Sequence, residues 1–423
     1  MKKFLAILVV LALTVFASVA MAEVTVGGAI DTRGRYLDNV DADLDTANDD
    51  ARDSNFTQTR VRIDVNAKNA DNTARGKVQI ENDWDTWGRL ERPMGASNAI
   101  SSTATPPAAS DAGRLRLREA WVDFNLPGLP GHLKGGHQLL QLGHGWFFRD
   151  MKFGSDAWLL GFPGKNTLAF VNVKVSEGTP RFSDDVDAYV ILDVYKINDA
   201  NTVGIDVTNV HNRTGGSDNG SDLYNVGLNY TGKLGPVNLK AEADFQFGTD
   251  KTGAADVDFE GKQVVVQASI PMDALTINAT VAWGSGDDPT TADANEGIVT
   301  ILDADPHYAF LYEYFVNTAV GRINSGFENT LALGLGASFA ATKTLTVGAD
   351  VWAFQANEDV ALNGGTPDSN LGMEIDGKIN WKITENLNFA WNLGYFMPGD
   401  AYKVGTQDAD AVKASQWVLG YKF

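Results

Sequence analysis

After residue 23, apolar and polar positions alternate with period two along almost the whole chain. Val24, Val26, Gly28 and Ile30 are interleaved with Thr25, Gly27, Ala29 and Asp31. Val61, Ile63, Val65 and Ala67 alternate with Arg60, Arg62, Asp64 and Asn66, and Leu239, Ala241, Ala243, Phe245 and Phe247 with Lys240, Glu242, Asp244 and Gln246. The same pattern runs through Leu275–Trp283 and through Ile375–Ile383. Period two sends successive side chains to opposite faces of a sheet, and no long window carries the 3.6-residue period of a helix. A soluble sandwich also alternates. Two features point instead to a barrel that spans a membrane. The strands run about 10–14 residues, the length of a tilted bilayer crossing. The gaps between them also alternate in length. Short gaps fall at 68–71, 126–131, 164–165, 198–201, 233–236, 271–273, 341–343 and 384–386. Long ones fall near 37–53, 85–113, 144–155, 178–184, 211–222, 249–260, 286–325, 357–371 and 398–412.

Sidedness sets the strand number. A chain that enters and leaves on the same side of the membrane needs an even count. Seventeen strands are visible directly, and they put the glycine-rich stretch 211–222 on the short-turn side. A further descending strand at about 156–163 restores consistent sidedness and gives an all-β, antiparallel transmembrane barrel of 18 strands. Sixteen follow if about 144–185 is one loop folded into the lumen, and 286–325 has room for a hairpin around Tyr308–Phe315.

The first 22 residues read differently. Lys2 and Lys3 precede an apolar run from Phe4 to about Ala17, and Ala20-x-Ala22 supplies a small-residue cleavage pattern. This predicts a secretory signal peptide over 1–22 and one barrel domain over 23–423. The alternative is an uncleaved membrane anchor. The chain has 34 cationic and 54 acidic side chains, a net −20; losing Lys2 and Lys3 with the leader leaves −22. Such a charge argues against nucleic-acid binding. Cysteine is absent, so disulfides, thiolate metal sites, cysteine nucleophiles and a lipoprotein anchor are excluded.

The last stretch alternates Trp417, Leu419, Tyr421 and Phe423 with Gln416, Val418, Gly420 and Lys422. A final aromatic after alternating apolar residues is similar to the assembly signal of bacterial outer-membrane barrels. With the leader and the barrel pattern, the mature chain resembles the porin family, and more narrowly the homotrimeric porins of sulfate-reducing bacteria. The resemblance implies an outer-membrane location, contact with membrane lipid and lipopolysaccharide, and handling by the barrel-assembly machinery. It also implies passive diffusion of small hydrophilic solutes through one water-filled pore per subunit of a trimer, with no cofactor. The Pro-Glu-Phe-Gly-Gly loop motif of enterobacterial-type porins is absent, so no constriction residue carries over by motif.

Cations on a lipid-facing strand cost about 2–4 kcal/mol near the bilayer midplane. Arg33, Arg35, Arg60, Arg62, Arg75, Lys77, Arg114, Arg116 and Arg118 are therefore assigned to the lumen, with Asp31, Asp64 and Glu81 on the same face. Adjacent strands then form a basic wall with interspersed carboxylates, a field able to orient dipolar solutes and bias ion passage. The alternative is an ion-paired lining without selectivity. On the fourth strand Ala120, Val122 and Phe124 take the arginine parity, which a β-bulge near Glu119 reconciles. The aromatic, charged stretch Gly145–Phe153, with Arg149 and Asp150, is a candidate for folding inward to narrow the pore or for covering a subunit interface. Trp84, Trp87, Trp146, Phe147, Phe148 and Trp158 suit either a sugar track or membrane-interface girdles. A substrate-specific channel for a sugar or a carboxylate is thus an alternative to a general pore, and a structural or adhesin barrel a weaker one.

Asp41-x-Asp43-x-Asp45 has the opening spacing of a calcium loop, but Thr46 and Arg52 occupy the positions that need Gly and Glu. Bridging to lipopolysaccharide through divalent cations and plain solvation remain as readings of these acids. No pair among His132, His137, His144, His211 and His307 has metal-ligand spacing, and Gly334-x-Gly336 lies inside a strand without a phosphate-cradling context, so an enzyme, like the barrel proteases and phospholipases, is only a weak alternative.

Overall fold

In the computed structural model, the described residues are 23–44, 53–87, 115–179, 183–214, 220–302, 308–316 and 325–423. Among them, 18 long strands hydrogen-bond in sequence order. They are β1 (Glu23–Asp38), β2 (Ser54–Lys68), β3 (Ala74–Thr86), β4 (Leu115–Asn125), β5 (His132–Gln141), β6 (Phe148–Phe162), β7 (Asn166–Ser176), β8 (Val186–Asn198) and β9 (Asn201–Asn212). Then follow β10 (Ser221–Leu234), β11 (Val237–Asp250), β12 (Lys262–Met272), β13 (Leu275–Gly284), β14 (Thr330–Ala340), β15 (Leu345–Val360), β16 (Asp368–Lys382), β17 (Leu387–Pro398) and β18 (Val412–Lys422). All neighbours are antiparallel, and β18 pairs with β1 from Ala29↔Lys422 to Asp38↔Lys413, which closes the cylinder. Closure matters because an unpaired strand edge inside lipid has no water to satisfy its backbone.

The count of 18 resolves the alternatives. Phe148–Phe162 is one strand, longer than the one expected at 156–163, so 144–185 is not a single loop. Tyr308–Phe315 forms turns rather than a hairpin. Short connections lie on one rim, as at 199–200, 235–236 and 273–274, and long ones on the other. Gly235 sits at φ +60 in its two-residue turn, a conformation that suits the twist of a tight hairpin and that glycine adopts at no steric cost.

Outward positions carry exposed apolar side chains such as Val26, Ile63, Ile191, Phe245, Val281, Leu335, Val351 and Leu419. The register aligns Trp158, Tyr189, Tyr224 and Phe247 in one outward row across β6–β11, with Asn172 and Asn209 between them. One step nearer the long-loop rim, the ion pair Lys174–Asp187 (2.8 Å) is flanked by the hydrogen-bonded pairs His137–Asp156 (3.0 Å) and His211–Asp222 (2.8 Å). Aromatics below and polar pairs above mark the boundary between hydrocarbon and headgroups.

The lumen is partly filled. Trp146, Phe147 and Phe148 turn inward and are buried. The segment 308–316, from the long connection 285–329, packs against Trp352 and Phe354 of β15 and Phe396 of β17. The two inward segments meet through Phe327, whose ring lies 6.2 Å from Trp146 and 4.6 Å from Tyr308. This apolar and aromatic filling packs on inward positions of β7, β8, β12, β13 and β17, where Val173, Ala188, Val265, Ala282 and Phe396 are buried, while Asp206, Asn225 and Asp244 are buried polar groups on β9–β11.

Candidate solute-conducting site

The inner faces of β1–β4 carry the densest cluster of cations. Arg60 pairs with Asp31 (2.8 Å), Arg62 with Glu81, and Arg75 with Asp123 (2.9 Å). Lys77 bridges Glu119 (2.5 Å) and Asp64 (3.5 Å). Arg60, Arg62 and Lys77 each keep 21% of their side-chain surface open. Three other arginines meet neutral groups instead. Arg33 donates to Gln58 Oε1 (2.8 Å) and stacks over Trp84 (3.8 Å). Arg35 donates to Gln416 and to Tyr314 Oη (3.1 Å). Arg118 donates to Gln79 and to the carbonyls of Lys152 (2.9 Å) and Met151. Among the described residues, none of the three has a carboxylate within ion-pair distance. The wall is therefore a partly neutralised array with surplus positive charge, not a fully paired lining.

Local irregularities aim these side chains. Opposite Gln79 and Ile80 stand Glu119 and Leu117, so Arg118 is the extra residue of a bulge. The bulge expected near Glu119 is thus present one residue earlier, and it swings Arg118 toward β3 without exposing it to lipid. A second bulge sets Asp83 and Trp84 of β3 against Arg60, which brings the indole under both Arg33 and Arg60 (4.5 Å). A third inserts Met151–Gly154 between the pairs Gln138↔Ser155 and Leu140↔Asp150. Asp150 shapes it by accepting from Phe153 N (3.1 Å), Gly154 N (2.8 Å) and Ser155 Oγ (2.6 Å). Phe153 at its tip meets Arg116 at 4.8 Å. Asp150 is thus turned into its own bulge, and Arg149 stands opposite Gln141 in β6. Arg114 and Asp45–Arg52 lie outside the described residues.

Wall carboxylates and amides hold the inward segments. Glu242 accepts from the His144 N–H, and Gln246 clamps Val299 from both sides (2.7 and 2.9 Å). Gly143 allows the approach: it sits at φ +48, and a Cβ there would lie 2.2 Å from Glu242 Oε2. Glu374 accepts from three successive N–H groups, Phe310 (2.8 Å), Leu311 (2.7 Å) and Tyr312 (2.7 Å). None of these anchors was legible from the alternation. An inward carboxylate is equally expected on a solvated wall, and only the aromatic residues at inward parity, Trp352 and Phe354, signalled that something packs inside.

The candidate aromatics divide. Trp84 is on the basic wall, Trp146, Phe147 and Phe148 are in the filling, and Trp158, 59% exposed, belongs to the outward row. Trp87 is exposed and donates to Thr59 Oγ1 (2.9 Å). At the seam, Phe423 N and O both hydrogen-bond to Gly28 (3.1 and 3.0 Å). Trp417 lies over Gly34, Leu419 and Tyr421 face outward, and Tyr421 stacks on Phe423.

A family model described as Gram-negative porin matches residues 8–351. None of the curated proteins matches this chain. Among solved structures, the Pseudomonas aeruginosa channel OccK9 (OpdG) aligns with TM-score 0.60 at 14% identity, covering 95% of this chain and 98% of its own. OccK2 (OpdF) of the same organism, solved in complex with glucuronate, aligns at 0.59 and 13% over 95% and 98%. OpdK, also from that organism and solved with vanillate, aligns at 0.57 and 10% over 94% and 98%.

Proposed function

The chain belongs to the Gram-negative porin family, and from that membership we propose that this outer-membrane channel carries small hydrophilic solutes along the β1–β4 wall with a preference for anions, carboxylates foremost. The carrying observation is the surplus on that wall: Arg33, Arg35 and Arg118 have neutral partners beside cations that are already paired. A guanidinium with donors to spare suits a carboxylate, which it binds in a planar fork. The two neighbouring folds solved with vanillate and glucuronate, both carboxylates, are in keeping with this reading. The working form is a homotrimer of residues 23–423, released from a signal peptide over 1–22. Arg33, Arg35, Arg60, Arg62, Asp64, Arg75, Lys77, Glu81, Arg116 and Arg118 line the path, and Trp417, Leu419, Tyr421 and Phe423 guide assembly.

Planar-bilayer recording in asymmetric KCl, with liposome swelling in glucuronate and in glucose, tests the proposal. It expects chloride preference and faster entry of the acid than its charge-free counterpart. Cation preference together with equal swelling rates would refute it.

A further inference from the structure

Glu374 lies at an inward position of β16 and is fully buried. Its carboxylate faces three consecutive backbone N–H groups of a segment that arrives from a connection entering the lumen more than 60 residues earlier in sequence. A run of N–H groups buried without an acceptor carries a desolvation cost at each group. Both carboxyl oxygens are used: Oε1 accepts from Phe310 and Leu311, and Oε2 from Tyr312. A glutamine at the same place offers one acceptor oxygen and points an amide N–H₂ at the remaining donors. The contact therefore depends on a side chain with two acceptor oxygens and not only on its shape.

The same segment reaches the solute path. Leu311 and Tyr312 are buried against the wall, with Tyr312 stacked on Phe354 at 4.0 Å. Two residues on, Tyr314 and Phe315 meet Arg35, through the Tyr314 hydroxyl (3.1 Å) and over the Phe315 ring (5.0 Å). Phe315 N and Val316 N both return to the Leu311 carbonyl (2.8 and 3.0 Å), which ties Leu311–Val316 into one hydrogen-bonded turn.

We propose that Glu374 is a positioning residue for conduction: by capturing the N–H groups of Phe310, Leu311 and Tyr312, it fixes segment 308–316 in the lumen and thereby sets the size limit of the path beside Arg35. The inference rests on the reading of β1–β4 as the path.

The absence of cysteine makes a clean test available. A Cβ built on Gly394 of β17 lies 2.7 Å from Leu311 Cγ, so Leu311→Cys with Gly394→Cys places two sulfurs for a disulfide that holds the segment in place. The pair is introduced with and without Glu374→Gln, assembled oxidised, and then reduced in the bilayer while single-channel conductance and the largest entering oligosaccharide are read. With Glu374 intact, reduction leaves both unchanged. With Glu374→Gln, reduction raises conductance by about twofold or more, because the narrowest section controls flow, and admits larger sugars. Reoxidation reverses the change. Unchanged conductance on reduction in the Glu374→Gln background overturns the proposal. So does failure of the locked Glu374→Gln protein to assemble, which would give the residue a folding role only. Loss of anion preference in the locked protein with Glu374 intact would count against the path itself and not against the anchor.

Discussion

Neutralising Arg60 and Arg62 together separates local from global charge. Both stand on the inner face of β2, paired with Asp31 and Glu81, and each retains a fifth of its side chain open to the lumen. Arg60→Gln with Arg62→Gln leaves two carboxylates without their cations. A unit charge acting on an ion ~5 Å away through water contributes ~0.8 kcal/mol, which a Debye length of ~8 Å reduces to ~0.4. Two charges then shift the local potential by ~0.8 kcal/mol, about fourfold in the concentration of each ion, in opposite senses for anion and cation. The matched control, Asp43→Asn with Asp45→Asn, changes as many charges in the acidic stretch before β2. Reversal potentials across a KCl gradient at physiological ionic strength report both. The β2 variant should move well toward cation preference and the control much less. A larger shift in the control would show that the acidic stretch, and not the basic wall, governs permeation.

Three further outcomes are expected. Phe423 closes the seam through its backbone and covers Gly28 with its ring; Phe423→Ser should lower the amount of barrel in the outer membrane and raise periplasmic degradation, while surviving channels keep their conductance, and normal assembly levels would count against the role. Burial holds the His144 imidazole below its ordinary value of 6.5, in spite of its bond to the Tyr230 carbonyl (3.1 Å). The docked loop 142–147 thus carries a neutral ring, its docking is at full strength above that ordinary value and weakens as pH falls below it, and current fluctuations should grow on acidification in the wild type but not in His144→Asn; an identical pH response in both would remove His144 from the account. Mild detergent extraction should give a heat-modifiable trimer by gel mobility and cross-linking, whereas a monodisperse monomer would exclude it.

Period-two alternation was enough to locate the strands, because in a lipid-embedded wall every second side chain must be apolar whatever the lumen does. The parity of the connections then distinguished 18 strands from 17, and the mismatch at Arg118 and Ala120 exposed a bulge that the backbone does contain. Inside the barrel the constraint disappears. An inward position accepts arginine, glutamate, valine or phenylalanine depending on what faces it across the lumen, and those partners lie far away in sequence. Glu374 and Phe310, or Glu242 and His144, become neighbours only after closure. Gly145–Phe153 shows the limit within one stretch: its aromatic half folds inward as the loop reading allowed, while Phe148–Phe153 belongs to β6 and its bulge.

The pairing of β1 with β18 has a consequence for biosynthesis. β1 finds one of its two partners only in β18, between 375 and 393 residues further along the chain. Contacts of such long range form late, since the chain between them must be ordered before they contribute. Until then β1 presents a row of unsatisfied N–H and C=O groups, the kind of edge that templates aggregation. Between the synthesis of β1 and that of β18 the chain therefore passes through an interval in which this edge is exposed to misassociation, longer than for a sheet whose strands pair only with their sequence neighbours.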